Sequence, residues 1–335
     1  MVQLLTKIGI SSIMKIEHIL KRTSQLTEIE KSQFIELRSK TFSGTMTAVQ
    51  FDTKYTQTPI GYSYHGLMIA DDSIVGACNM IPCSYNYFGR RVMFCLSVDT
   101  MIHEQYRGNY FGLLKTTNLV INAMRQDGIS FTFGFPNNKS HGIMRRMLRW
   151  RDIGELDLYV LPLKIGSVYR KLKCLNMMSH ALTAMLVRVP SLGRADVCSF
   201  NIEKVTDDTF RRRRYDSSHQ AIKLDDGSEV VYKIINKESG ARTLQLIDVR
   251  PLTAATFDRG VKSVHRMLGD SVDLLAFVGR LPFRPINMIR IPKALPRSRA
   301  KRAYVCGKIL NHQIIDDRVF DLSNWNLNYS DNDMP

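Results

Sequence analysis

From residue 15 onward the chain alternates short apolar runs with stretches in which apolar residues return every three or four positions. KIEHILK (15–21) has strand character. TEIEKSQFIELRSKTF (27–42) has helical spacing and opens on Thr27-x-x-Glu30, in which hydroxyl and carboxylate satisfy amides at the helix start. YHGLMIA (64–70) and SIVGACNMIPCSYNY flank Asp71-Asp72, and RRVMFCLSVDTMI follows a turn at Phe88-Gly89. Apolar runs around short polar turns predict hairpins. MFCLSVDTMI (93–102) is apolar on both faces, as a central strand buried on two sides requires.

Beyond this strand, Leu113, Leu114, Thr117, Val120, Ile121 and Met124 recur at helical spacing, and Gly128 supplies a stop. ISFTFGF (129–135) predicts a strand, PNNKSHGIMRRML a short helix and DIGELDLYVLPL (152–163) another strand. Phe131, Phe133 and Phe135 read as sheet core, and Met144 and Met147 as core fillers. Residues 164–200 read as helical or irregular. EVVYKII and RTLQLIDVR then flank NKESGA, followed by a helix over 253–268 and strands at 272–279 and 303–310. The order strand, helix, strand thus recurs in the second half, but DVRPLTAA joins strand to helix there without a glycine. The pattern predicts an extension over 1–13 (Met14 being an alternative start), an α/β lobe over 14–165, a connector over 166–200 and a second, similar lobe over 201–335.

Composition fits a folded protein, with 44% apolar and 23% charged residues. No apolar run approaches the roughly 20 residues that span a bilayer, and the first residues lack an export signal's long apolar core and small-residue cleavage site. The six cysteines form no CxxC pair and no zinc-ligand spacing. Cys78, Cys83 and Cys95 lie in apolar strands, so free core thiols in a reducing cytoplasm are expected. The net charge of +16 gathers at RRMLRWR (145–151), RRRR (211–214) and KALPRSRAKR (293–302). Such clusters suit nucleic acid, a membrane surface or small phosphorylated ligands. No zinc-finger spacing or RNA-recognition aromatic motif accompanies them. Arg211–Arg214 is expected on a solvated helix face, with one arginine available to an anionic sugar phosphate.

The segment with most chemistry in it is HEQYRGNYFGLLKTTN (103–118). It follows a buried strand, carries Gly108 and Gly112, and opens a helix. A helix N-terminus presents unpaired N–H groups and a partial positive charge, and glycines let a pyrophosphate approach them. The segment lacks both GK[ST] and GxGxxG, so it is neither a Walker loop nor a dinucleotide fingerprint.

MIHEQYRGNYFGLL resembles the coenzyme A-binding motif of the GNAT acyltransferase superfamily, V-h-P-e-y-R-G-x-G-I-G-x-x-L, with Ile102, Tyr106, Arg107, Gly108, Gly112 and Leu114 in place. FPNNKSHGIMRRMLRWRDIG is similar to the Pro-Asn-x-x-Ser-Tyr…Leu-Gly-Trp segment of GNAT proteins from bacterial polysaccharide-type gene clusters. FRRRRYDSSHQ and NWNLNYSDND resemble their second half more faintly. The sequence departs at Glu104 (usually proline), Tyr110 (usually glycine or alanine), Lys139, His141 and Arg149.

The resemblance implies a mixed, mostly antiparallel GNAT fold in two tandem lobes, of which one keeps a phosphate loop. It implies acetyl-CoA or another acyl-CoA as co-substrate, no metal, and a small-molecule primary amine as acceptor, such as an amino sugar or amino-acid-bearing precursor. Ile102 and His103 would bond pantetheine from a splayed strand end. Arg107, Gly108, Asn109, Tyr110, Phe111 and Gly112 would form the pyrophosphate turn, and Asn137 and Asn138 would reach the pantetheine arm. Asp99 is the candidate base and His141, where some relatives carry an acid tyrosine, the candidate acid. Turn chemistry after Pro136 explains the two asparagines equally well, a strand bulge explains Asp99, and a helix cap explains His141. Two other functions stay open: an aminoacyl transferase of the FemX-like type, drawing on charged transfer RNA, and a non-catalytic protein binding nucleic acid or anionic surfaces.

Overall fold

SIVGACNMIPCSYNY is buried over nearly its whole length, as befits the longest strand at an interior position of the sheet. The computed structural model describes residues 16–42, 44–108, 110–168, 176–193, 200–236, 240–293 and 303–332. The 1–13 extension, Asn109, Cys174, Cys198 and the basic cluster beyond Lys293 lie outside the described residues. Contacts divide the chain into two units. The chain up to Pro82 joins Cys95–Ile129, and Cys83–Phe94 joins the chain from Ser130 onward. The division differs from lobes at 14–165 and 201–335 because two strands of 15 and 13 residues form one hairpin with segments in both units.

The first unit contains β1 (Glu17–Arg22), α1 (Glu28–Thr41), α2 (Ala48–Thr56), β2 (Tyr64–Ala70), the first part of β3 (Ser73–Tyr87), the last part of β4 (Arg90–Ile102) and α3 (Tyr110–Gln126). β1 pairs antiparallel with β2, from Glu17↔Ile69 to Arg22↔Tyr64, and β2 pairs antiparallel with β3. Thr27 and Glu30 form the expected reciprocal cap on α1. Thr47 and Gln50 form a second one on α2, a helix the hydrophobic pattern alone does not reveal. α3 packs on β2 at Gly66, where a Cβ would lie 2.6 Å from Val120 Cγ2 and 2.7 Å from Thr116 Cγ2. Only a glycine admits the helix so close.

The second unit adds β5 (Phe131–Gly134), α4 (Asn138–Arg146), β6 (Arg151–Pro162), α5 (Ile165–Val168), α6 (Asn176–Leu186), β7 (Ile202–Lys204), α7 (Asp208–Arg214), β8 (His219–Lys223), β9 (Glu229–Asn236), β10 (Arg242–Arg250), α8 (Ala254–Leu268), β11 (Leu274–Gly279), β12 (Ile289–Arg290), β13 (Ala303–Ile309) and β14 (Trp325–Asn326). Strands run in the order β5-β13-β6-β11-β10-β9-β8. Neighbours are antiparallel except β10 and β11, which are parallel and joined by α8. The mixed, mostly antiparallel sheet is the fold class the sequence predicts. Phe131 and Phe133 are core residues, packed with Phe94 around the buried Trp325. Phe257, Val261 and Val264 bury the inner face of α8 in a second cluster with Leu244, Leu246 and Phe277.

Arg211–Arg214 departs in part from the solvated face expected of it. Arg211 holds Glu229 through two hydrogen bonds of 3.0 and 2.8 Å, and Arg214 donates to the carbonyls of Tyr329 and Ser330. Arg213 reaches Cys83 Sγ at 3.4 Å. Arg212 stays exposed and Arg211 half-exposed, so the run keeps part of its solvated face while satisfying a carboxylate and two backbone carbonyls. Nearby, Lys204 is buried with Asp331 at 3.0 Å and Asp248 at 3.8 Å, which fastens the chain's last described turn to β7 and β10. Burial disfavours the ammonium, and the two carboxylates more than offset it, so the Lys204 pKa is raised.

A polar chain crosses the apolar interior of the first unit. His65 is fully buried among Phe34, Phe51 and Tyr55. Its Nδ1 lies 2.9 Å from Asn79 Oδ1 and its Nε2 3.0 Å from Thr23 Oγ1. Because the Asn79 amide nitrogen donates to the Asp99 carbonyl, its oxygen faces the ring. Nδ1 therefore carries the proton, and Nε2 accepts from the threonine hydroxyl. Burial pushes the His65 pKa down to about 4, against smaller upward effects of Asn79 and Asp99. With a folded pKa below the unfolded 6.5, the unfolded state binds more protons between these values, so stability falls as pH falls through that window. The loss from this group amounts to about 3 kcal/mol once complete. Urea unfolding at successive pH values should show a steeper loss for the wild type than for His65→Gln between about pH 6.5 and 4. Parallel slopes would show that this ring does not control acid stability.

Candidate active site

The last residues of β4 lead into the candidate site. Asp99 sits at φ 42, a left-handed conformation that is rare for a residue with a side chain. The turn takes its carbonyl out of the ladder and into the Asn79 side-chain amide at 2.9 Å. It also sends the carboxylate toward α1 and α2. There Oδ2 accepts from Lys54 Nζ and Tyr55 Oη, both at 2.6 Å, and Arg38 Nε lies 3.4 Å from Oδ1. Asp99, Lys54 and Arg38 are all largely buried, with side chains 10%, 11% and 14% exposed. Burial alone would raise the Asp99 pKa, but Lys54, Tyr55 and Arg38 together hold it below the usual carboxylate range. A left-handed residue thus interrupts β4 at Asp99. The carboxylate is ionised, with Oδ2 taken by Lys54 and Tyr55 and Oδ1 facing Arg38.

Past Asp99, the His103 N–H donates to Val75 O at 2.8 Å and so extends the pairing of β4 with β3. That amide is committed to the sheet, and the His103 carbonyl accepts from Tyr106 N–H at 2.9 Å. The Ile102 carbonyl accepts from Arg107 Nε at 3.3 Å, which folds the arginine back over the strand end. A single 3₁₀ turn at Glu104–Tyr106 reverses the chain, with Arg107 N donating to Glu104 O.

Gly108 follows at φ +115, a conformation that only glycine adopts without strain, and a Cβ there would meet nothing within 4 Å. α3 then begins at Tyr110, with no acidic residue in its first turn. The Phe111 side chain is 82% exposed. The corner thus joins an open backbone turn, a helix N-terminus free of competing carboxylates and an arginine. These features suit a pyrophosphate, whose negative charge the first-turn amides and helix dipole favour. Asn109, the expected member between Gly108 and Tyr110, lies outside the described residues.

Beside the corner, α1 and the β2–β3 turn enclose a cleft of ≈ 290 Å³ lined by Leu37, Lys40, Asp71, His103, Gln105 and Tyr106 among others. His103 Nδ1 is buried there without a hydrogen bond to the described residues.

The remaining candidates belong to the second unit. Asn137 Oδ1 accepts from the amides of Lys139 and Ser140 at 3.0 and 2.9 Å, so this side chain is the N-cap of α4. Asn138 is the first residue of that helix. His141 Nε2 lies 2.7 Å from Asp152 Oδ1, and its ring stacks on Tyr304 with centroids 4.1 Å apart. Carboxylate and stack fix the imidazole's orientation, the arrangement a proton-transferring histidine needs. Arg145 shares Asp152 at 3.1 Å.

Lys54, Tyr55 and Arg38 were not evident from sequence. They lie 45, 44 and 61 positions from Asp99 along the chain, on helices whose apolar pattern carries no hint of a shared partner. The signal that did exist is indirect: a single aspartate inside the apolar run MFCLSVDTMI has to find a counter-charge if it is buried.

No protein-family model and no curated protein matches the sequence. Solved structures do share its fold. A conserved protein of Enterococcus faecalis, described as a probable N-acyltransferase, aligns with a TM-score of 0.54 at 13% identity, over 88% of this chain and 73% of that one. A GCN5-related N-acetyltransferase from Kribbella flavida gives 0.53 at 14% identity, over 87% and 71%. One from Anabaena variabilis gives 0.54 at 11% identity, over 88% and 73%. Identities this low speak to architecture, and over most of its length the chain has the fold of the GCN5-related N-acetyltransferases.

Proposed function

We propose that this protein is an acyl-CoA-dependent N-acyltransferase, with acetyl-CoA the first donor to test and a small-molecule primary amine as acceptor. The observation that carries the reading is the corner itself: a strand end, a 3₁₀ reversal, Gly108 with open space around it, and a helix start without acidic residues. The fold shared with N-acetyltransferases supports it. An amino sugar or amino-acid-bearing precursor fits as acceptor, and the four free, buried cysteines among the described residues fit a reducing cytoplasm.

A bound acyl-CoA would supply an acyl carbon activated as a thioester. The acceptor nitrogen would bond to that carbon as the carbon–sulfur bond breaks, the nitrogen losing one proton and the sulfur gaining one. In this reading Gly108, Phe111 and Gly112 offer backbone to the pyrophosphate, Arg107 adds charge, and the carbonyls of Ile102 and His103 face the pantetheine amides. Asn109 and Tyr110 complete the turn in sequence, and Asn138 is the pantetheine candidate that the resemblance to GNAT proteins supports. His141, oriented by Asp152 and Tyr304, is the acid. Asp99 is a weak base as it stands, since Lys54 and Tyr55 already occupy one oxygen and its pKa is depressed. Its first role in this proposal is to hold α1 and α2 against the left-handed turn that shapes the strand end. Removing a proton would require Lys54 to move aside.

Two measurements test these assignments. Calorimetry should detect acetyl-CoA binding that Gly108→Trp abolishes while the variant keeps the wild-type melting temperature to within a few degrees. No binding by the wild type at millimolar acetyl-CoA, or by any acyl-CoA of a chain-length panel, would sink the acyltransferase reading. Asp99→Asn leaves Lys54 and Arg38 buried without their counter-charge, which should lower stability by about 3–5 kcal/mol. Acetyl-CoA affinity of the folded variant should hold. An unchanged melting temperature with turnover lost would instead make Asp99 a base and not a clamp.

A further inference from the structure

Acyl transfer leaves one surface of the second unit without a role. α6 is held to β6 by its inner face: the hydroxyls of Ser179 and Thr183 donate to the carbonyls of Leu163 and Pro162, and Leu186 packs against the core. The outer face is apolar as well. Met178, Leu182 and Met185 form a stripe at helical spacing, and they are 68%, 57% and 68% exposed. A helix apolar on both faces is ordinarily buried on both.

α8 lies alongside in the opposite direction. The rings of His180 and His265 are 6.3 Å apart near one end, and Ser191 bonds to Asp258 near the other. The exposed ridge of α8 carries Lys262 and Arg266, with Met267 59% exposed beside them. Neither basic residue makes an ion pair with the described residues. Arg259, on the same ridge, is held by Asp226. Asp270, which meets His180 and Lys164 at the end of the face, and Asp226 are exposed acidic groups beside it. Among the described residues of 158–193, Lys164 and Arg188 are basic and none is acidic.

We propose that the α6–α8 face is a peripheral binding surface for a bilayer containing anionic lipid. An apolar ridge with basic residues beside it matches the acyl boundary and the phosphate layer of such a bilayer. The chemistry also selects among occupants. Nucleic acid would take up the charges but leave the Met–Leu–Met stripe in water. No described helix is long and apolar enough to cross a membrane, so the contact would lie in the interface plane. The proposal stands independently of the acyltransferase reading.

Co-sedimentation of the full chain with vesicles tests it. Vesicles of phosphatidylcholine and phosphatidylglycerol should retain the protein, and vesicles of phosphatidylcholine alone should not. Leu182→Asp combined with Met185→Asp, and separately Lys262→Glu combined with Arg266→Glu, should each reduce partitioning about tenfold or more. Both pairs are at the surface, so the melting temperatures should match the wild type, and the charge pair remains a test if the apolar pair does not fold. Absence of binding to the anionic vesicles, or binding indifferent to the charge pair, would overturn the proposal. A wild-type dimer in sedimentation velocity that Leu182→Asp with Met185→Asp dissociates would overturn it in favour of a second copy. RNA binding lost in the charge pair, with vesicle binding absent, would overturn it in favour of nucleic acid.

Discussion

The Asp99 carboxylate is the contact around which the first unit is arranged. One left-handed residue in β4 turns a carboxylate into the interior, where it would be costly unless paired. Lys54 and Tyr55 from α2 and Arg38 from α1 meet it there, so two helices are pinned to one strand by charge as well as by apolar packing. The displaced carbonyl needs a donor too. Asn79 provides it, which aligns His65, and His65 in turn takes the Thr23 hydroxyl. A chain of polar groups from β4 to the end of β1 is satisfied throughout, and each member fixes the rotamer of the next. What this secures is the path of the strand just before the glycine corner.

Most elements were legible from period alone. The strands at 64–70, 73–87 and 90–102 and the helices opening at Thr27 and Tyr110 appear where the pattern places them, because each has one dominant apolar face and a turn or cap at its end. α2 escaped notice. AVQFDTKYT turns only Phe51 and Tyr55 into the core, too few for a periodic signal, and its start is marked only by the Thr47 cap. β7 and β14 are three and two residues long, shorter than any window in which alternation can be counted.

The site was legible to a different degree. The glycine corner could be read because its requirement is local: a residue free to adopt φ +115 must be a glycine, and a helix start can be found from spacing. The roles of Asp99, Asn137 and the arginine run could not, because each depends on a partner distant in sequence. Asn137 is a cap because two amides lie above it. Arg211 is an ion-pair partner because Glu229 lies 18 residues on, at the start of β9. Local chemistry names what a side chain can do; only packing decides which of those things it does.

The same distinction changes the meaning of the net charge. A surplus of +16 invites a single polyanionic partner, yet RRRR is largely consumed by Glu229 and by the carbonyls that close the chain's end. Lys204 neutralises two buried aspartates, and Lys54 and Arg38 neutralise Asp99. Lys204, Lys54 and Arg38 are part of the protein's interior and contribute little field outside it. The charge that can attract a partner is what remains on exposed ridges with few acidic neighbours, and α8 beside the apolar stripe of α6 is such a ridge. Its partner has to present negative charge and an apolar phase at the same depth, a pairing that a lipid interface provides and a phosphate backbone does not.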